Sequence, residues 1–452
     1  MQVLISLLAF AVAIGILVTV HEFGHFWVAR RLGIRVLRFS IGFGKVVWSR
    51  TGRDGTEYAL SAVPFGGYVK MLDEREGEVA EKDLPEAFNR QHIAKRIAVV
   101  LAGPLFNILF AIVAYWGVYM IGVPGVKPVI GSVDSGSYAA QAGFHEQDLI
   151  VSVGGEKTPT WESATLELLD GLLDGGTVSV TVESESGARR GLQLEAPVTP
   201  ALTAPGALLD GLGLHPWNPS LPPVLGRVAD DGPAGKAGLE VGDRIVAVDG
   251  RAVSDWDQWR NYVRAHPGAT LQVDIVRNGV RRTIALPLAT HAEGETRIGY
   301  SGTAPDVPEA LISRLRAEQR YGVVESAIHG VGKTWQVSAL TLRMLGHMIT
   351  GQVSLKNISG PINIAQYAGY TAQVGVVPFL SFLAVVSISL AILNLLPVPV
   401  LDGGHLIFYL VEGVTGRPVS ERVELLGQRI GIGLLLLLMC FAFYNDLARI
   451  FQ

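Results

Sequence analysis

Apolar residues in this chain gather into long runs separated by stretches of ordinary polar alternation. Val3 to Val20 carries no charge and continues toward Phe26 and Val28, and Ile97 to Val123 is equally uncharged behind Lys95 and Arg96. A third run is most continuous from Val374 to Leu396. A fourth covers Ile430 to Tyr444, with Leu425 and Leu426 extending it backwards. A membrane-crossing helix needs about 20 mostly apolar residues, so each run predicts a span. The first run has no basic stretch before it and no small-residue cleavage site after it, which argues against a removable secretory signal.

Between the second and third runs the pattern shifts to period-two alternation, as in Thr177 to Val182 and Leu271 to Val276, and predicts half-buried strands. This segment repeats itself 95 residues later. Gly131, Val133, Ala139, Ala142, Gly143, Asp148, Ile150, Val151, Val153 and Gly155 recur as Gly226, Val228, Ala234, Ala237, Gly238, Asp243, Ile245, Val246, Val248 and Gly250, and Trp161 recurs as Trp256. Two copies are too few for a solenoid and predict tandem globular modules. From Pro308 to Gln352, Val324, Ile328, Val331, Trp335, Ala339, Leu342 and Leu345 recur at helical spacing among Glu325, Lys333 and Arg343. Such an amphipathic helix lies in a membrane interface or packs on a neighbouring module. Between the first two runs, Phe39 to Trp48 reads as a strand, Thr51 to Gly55 as a turn, and Glu57 to Val63 as the returning strand. Gly42 and Gly44 leave room for another backbone, making them candidate substrate-binding positions, and Gly66 to Met71 is a second candidate edge.

The predicted layout is a first membrane helix over 1–30, a β loop over 31–95 and a second membrane helix over 96–123. Modules follow over 127–220 and 221–306, then the amphipathic segment over 307–352 and membrane helices over 374–402 and 423–447. Charged residues make up only 17% of the 452, against roughly 25% in soluble proteins, which fits a membrane protein with soluble parts. The net charge of −4 offers no basic field for nucleic acid. The single Cys440 excludes an intramolecular disulfide and a cysteine-built metal site. Arg30, Arg31, Arg35 and Arg38 follow the first run, and Arg90, Lys95 and Arg96 precede the second, so their loop is expected in the cytoplasm. The modules and both termini then lie outside, with Arg417, Arg422 and Arg429 marking a second cytoplasmic turn.

Candidate chemistry sits at the end of the first run. His21-Glu22-Phe23-Gly24-His25 is an H-E-x-x-H motif; on a helix its histidines share one face and reach one zinc, with Glu22 beside them as general base. Ionisable side chains are costly at such a membrane position and mark function there. A catalytic zinc keeps three protein ligands and one open position. The first and third membrane helices end on the same side, which brings Asp402 to the depth of the histidines, and His405 is a rival third ligand. Zinc held by two histidines and a carboxylate has precedent among proteases and favours Asp402. Two classes of function are compatible: an intramembrane protease, or a membrane adaptor or transporter whose zinc is structural and closed by four protein ligands.

Ala237-Gly238-Leu239-Glu240-Val241-Gly242-Asp243-Arg244-Ile245 resembles the corresponding stretch of bacterial PDZ domains; the first copy departs from it at Phe144 and Gln147. PDZ folds bind extended chain ends by strand addition. Together, H-E-F-G-H in the first membrane helix, N-x-x-P-x-P-x-L-D-G from Asn394 to Gly403, and the tandem modules between them resemble the site-2 protease family over nearly the whole chain. The resemblance implies a polytopic α-helical membrane protein with four transmembrane helices, two inserted PDZ-like α/β modules and a membrane-associated β-hairpin loop. It implies a zinc metalloprotease of the bacterial inner membrane that holds one Zn2+ per chain. His21, His25 and Asp402 are the implied ligands, Glu22 the catalytic base, and Asn394 and Pro397 the residues that handle substrate. The implied substrate is a single-pass membrane protein, such as an anti-sigma factor already trimmed in the periplasm, whose cleavage activates an envelope stress response. Remnant signal peptides are a second class. The modules are expected to act as a size filter against untrimmed substrates.

Overall fold

In lipid a backbone has no hydrogen-bond partner but itself, so an uncharged apolar run must coil into a helix. The computed structural model describes residues 2–75, 77–204, 206–293, 296–353 and 359–450. Among these, four helices are long and apolar enough to cross a membrane: Val3–Arg31, Ile93–Ile121, Val376–Asn394 and Arg422–Ala448. The chain divides into two compact units. One comprises the residues up to Val123 with Glu318–Asp446, and the other Pro124–Ala317 with the residues from Leu447 on.

In the first unit, small residues set how closely the helices pack. A Cβ on Gly24 would lie 2.5 Å from the carbonyl oxygen of Ala102, so the first helix meets the second with nothing between the backbones. The third helix packs on the second through Ala384, Ile388 and Ile392 against Ala111, Ala114 and Tyr115. A shorter helix, Pro361–Val374, begins at a buried carboxylate: Asp446 accepts hydrogen bonds from the backbone N–H groups of Gly360, Ile362 and Asn363. That arrangement satisfies the first free donors of the helix and favours the negative charge at the positive end of its dipole.

Two expectations about helical segments need correction. The third membrane helix does not run on to Asp402: it stops at Asn394, and a separate helix, Asp402–Thr415, starts after an irregular turn. Pro397 and Pro399 lack the N–H a helix needs and push their predecessors out of helical geometry. The amphipathic segment over 307–352 is also not one helix. Glu309–Leu315 and Val323–Ile349 are helical, separated by the short strand Arg316–Gln319. The second of these turns its apolar row outward, with Val324, Ile328, Val331, Trp335 and Leu342 exposed. Its buried face is small and hydroxylated in the first half, where Ser326, Gly330 and Thr334 are buried and Gly330 lies against the backbone of Ile112 and Trp116, and apolar further on, where Val337 and Leu340 are buried.

The loop after the first helix is a long hairpin, Val36–Thr51 against Glu57–Met71, whose strands bend back on themselves. Phe39 pairs with both Tyr58 and Val69, and Ala59 with both Ser40 and Ser49. The result is four rows in the order 67–71, 36–41, 57–61 and 46–51.

In the second unit, the repeat seen in the sequence folds as two copies of one topology. Each has a four-stranded antiparallel sheet: Glu156–Lys157, Leu149–Val153, Thr177–Glu183 and Arg189–Glu195 in spatial order, then Arg251–Ala252, Arg244–Val248, Thr270–Arg277 and Val280–Pro287. A helix covers each, Trp161–Gly175 and Trp256–Ala265, burying Leu168 and Leu172 in one core and Trp259 and Val263 in the other. The recurring aspartates are buried and paired. Asp148 meets Arg190, and Asp243 is gripped by Arg277 through two bonds of 2.7 Å while it also accepts from the backbone N–H of Glu240 at 2.9 Å. Removing a buried ion's partner typically costs about 3–5 kcal/mol. Asp243→Ala is therefore expected to lower the stability of the second module by about 3 kcal/mol, read as faster hydrogen exchange along Thr270–Arg277. Unchanged exchange there would show that the pair is not holding the module.

Candidate metal centre

The H-E-x-x-H segment lies inside the first helix, where a spacing of four puts His21 and His25 on one face. Their rings meet edge to face with centroids 4.8 Å apart, and the two Nε2 atoms are 3.3 Å apart. His25 Nδ1 donates to the carbonyl of Val99 at 2.8 Å, which assigns the proton to Nδ1 and leaves the Nε2 lone pair free. The second helix comes this close because Gly103 has no side chain; a Cβ there would overlap both imidazoles.

Asp402 arrives from the opposite side. Its Oδ2 stands 3.2 Å from Nε2 of His21 and 3.5 Å from Nε2 of His25. The first turn of its helix tucks beneath the preceding irregular turn because Gly403 and Gly404 follow; a Cβ on either would strike the carbonyls of Leu395, Leu396 or Val398. Asp402 Oδ2 is buried and has no hydrogen-bond partner, an orphaned anionic oxygen facing two imidazole nitrogens. Metal–ligand bonds of about 2.0–2.1 Å in tetrahedral geometry place the ligand atoms about 3.3–3.4 Å apart. The three separations of 3.3, 3.2 and 3.5 Å therefore fit a zinc ion. Among the described residues, His21, His25 and Asp402 form the cluster able to hold a metal. His405 lines the same cavity but falls outside that cluster.

The cavity holds about 570 Å3 and is bordered by Glu22, Asn394 and the hairpin row from Gly66 to Met71. Asn394 Nδ2 is 3.5 Å from His21 Nε2. Gly67 passes so close to Glu22 that a Cβ on it would lie 3.0 Å from the Glu22 Cγ. Pro397, Gly42 and Gly44 do not line the cavity. Pro397 is exposed on the irregular turn. Gly42, at φ +90°, has its own hairpin in the way, since a Cβ there would lie 2.7 Å from the carbonyl oxygen of Val63. The bare backbone at 42 thus serves the bend of the hairpin, and the glycines beside the site are Gly66 and Gly67. Sequence reasoning missed Gly103 and Asn107 on the second helix. The available signals were a Gly-Pro pair and the one amide inside the charge-free run from Ile97 to Val123.

The chain matches Peptidase family M50 over residues 9–438 and belongs to that family; it is an intramembrane zinc metalloprotease of the site-2 type. It is similar to the regulator of sigma-E protease RseP of Escherichia coli, with 45% identity over 448 residues, 98% of this chain and 99% of that one. A Vibrio cholerae protein described as a zinc metalloprotease is 45% identical over 459 residues, 99% of this chain and all of that one. Among solved structures, the PDZ domain of an SdrC-like protein from Listeria monocytogenes aligns over 18% of this chain and 83% of its own. Its identity is 21% and its TM-score 0.16, too low to carry a fold assignment.

Asp402→Ala is expected to lower bound zinc by at least tenfold, since one of three ligand atoms is lost, whereas His405→Ala leaves occupancy close to that of the unaltered protein. Metal analysis of the two purified variants decides between them, and the reverse order would make His405 the third ligand.

Proposed function

We propose that this chain cleaves single-span membrane proteins inside the bilayer, with His21, His25 and Asp402 as ligands of one Zn2+ and Glu22 as general base. The observation that carries the reading is the approach of the three candidate ligand atoms to within 3.2–3.5 Å of one another in a cavity that Glu22 and Asn394 also border. A zinc ion held by His21, His25 and Asp402 would supply Lewis acidity toward the scissile carbonyl and a water. Glu22 takes the proton of that water and returns it to the leaving amine, in the general base and then general acid sense.

A helical substrate hides each carbonyl in its own hydrogen bonds, so it must be unwound, and lipid offers the freed groups no partner. The outer edge of row 67–71 supplies one, receiving the unwound segment as an added strand along the cavity wall. Asn394, with both a donor and an acceptor, holds that strand near the metal. Pro397 serves by keeping the turn between Asn394 and Asp402 out of helical form, and Gly42 and Gly44 by shaping the bend that presents the edge. The hairpin tip, with Phe43, Val47, Trp48, Leu60 and Val63 exposed, inserts into the membrane from the cytoplasmic side.

By likeness to the regulators of sigma-E protease, the substrate is an anti-sigma factor trimmed beforehand in the periplasm, with remnant signal peptides as a second class. The positive loops support an active site toward the cytoplasm with both termini in the periplasm. The modules, read as tandem PDZ domains, stand on that outer side as a filter against bulky untrimmed substrates.

Glu22→Gln is expected to retain zinc while cleavage of a single-span substrate falls by about 10²–10⁴-fold, because Gln keeps the shape but cannot accept the proton. Turnover of purified protein alongside metal content checks it. A zinc-loaded Gln variant that cleaves at the original rate would remove Glu22 from the mechanism.

A further inference from the structure

We propose that Asn107 is the positioning residue for His21, accepting a hydrogen bond from its Nδ1–H so that the Nε2 lone pair faces the metal. The proposal rests on the zinc reading above. Asn107 is fully buried in the second membrane helix, with its Nδ2 3.2 Å from His21 Nδ1 and its Oδ1 without any hydrogen-bond partner. In that orientation the amide donates to Nδ1, so His21 carries its proton on Nε2, the atom that faces His25 and Asp402. A nitrogen protonated there has no lone pair for a metal.

The two ends of a carboxamide have nearly the same shape, and a half-turn about the terminal bond exchanges them. The exchange trades one unpaired end of the amide for the other, so the group on Nδ1 decides which is preferred. A metal on Nε2 requires a proton on Nδ1 and hence an acceptor opposite it. With Oδ1 in that place, His21 matches His25, whose Nδ1 already donates to Val99. Both imidazoles are then aimed from one helix, His25 by a backbone carbonyl and His21 by a side chain. A second bond holds the helix here: Ser387 Oγ donates to the backbone carbonyl of Asn107 at 2.8 Å. An amide suits the position better than a carboxylate for two reasons. It adds no charge to an apolar bundle, and it can pair with either tautomer of His21, as donor without metal and as acceptor with it.

The test uses the full chain in bilayer nanodiscs with Asn107→Leu, which keeps the bulk and removes the acceptor, and Asn107→Asp, which keeps an acceptor. The zinc dissociation constant is measured by chelator competition, together with the unfolding midpoint of the metal-free protein. Losing an outer partner of a metal-bound histidine typically costs about 10–100-fold in affinity. The Leu variant is expected to weaken by that factor while its metal-free midpoint falls only by the loss of one buried hydrogen bond, and the Asp variant to recover to within about threefold of the starting protein. Zinc binding by the Leu variant within that margin, or an Asp variant as weak as Leu, overturns the proposal. A second measurement does not depend on the variants folding: 15N spectra of histidine-labelled, zinc-loaded protein. Protonated Nδ1 on His21 supports the proposal, and protonated Nε2 or metal on Nδ1 overturns it. His21→Ala is the reference; if it binds zinc as tightly as the unaltered protein, the zinc assignment falls and this proposal with it.

Discussion

Polar ligands inside a bundle of apolar helices must be paired by protein, because lipid solvates neither an imidazole nor a carboxylate. That constraint governs the membrane unit. Two imidazole nitrogens and one carboxylate oxygen stand between 3.2 and 3.5 Å apart, facing one another inside the bundle. Such closeness is possible because the backbones around them carry no side chains where they touch. Gly24 and Gly103 let the first two helices approach, and Gly403 and Gly404 let the Asp402 helix begin directly under the end of the third. A single methyl at Gly103 would occupy the space of the imidazoles themselves.

The same constraint explains why a β-hairpin belongs in this unit. A protease that works on a helix must open it and then supply partners for the groups it exposes. The hairpin offers a sheet edge along the cavity wall, and Gly67 brings that edge against the stem of Glu22. Glu22, the histidine–aspartate cluster and the strand edge therefore share one cavity, and under the proposed function a segment paired with the edge would lie beside them.

Much of this is legible in the sequence because it is local. Uncharged runs, H-E-x-x-H spacing and the 95-residue repeat each lie within one element or one module, and all survive folding. The expected continuation of the third helix to Asp402 failed where Pro397 and Pro399 outweigh apolar content, a local signal that was available and under-weighted. The apolar row from Val324 to Leu342 was legible as a pattern but not as a direction. In a soluble protein such a row points inward, whereas here it points out and the face carrying Ser326, Gly330, Thr334 and Val337 is buried. That inversion suits a helix whose surroundings are lipid and whose close contacts use small residues. Asn107 and Gly103 were beyond a local reading, since their meaning comes from contacts about eighty residues away along the chain.

Everything in the proposed chemistry turns on a zinc ion held by two imidazoles and one carboxylate with a position left open. X-ray absorption at the zinc edge of the full-length, zinc-loaded protein measures that shell directly. The expected shell is two imidazole nitrogens and two oxygens at about 2.0–2.2 Å, one oxygen from Asp402 and one from solvent. A shell with a third imidazole, or with the Cys440 sulfur at about 2.3 Å, would contradict it.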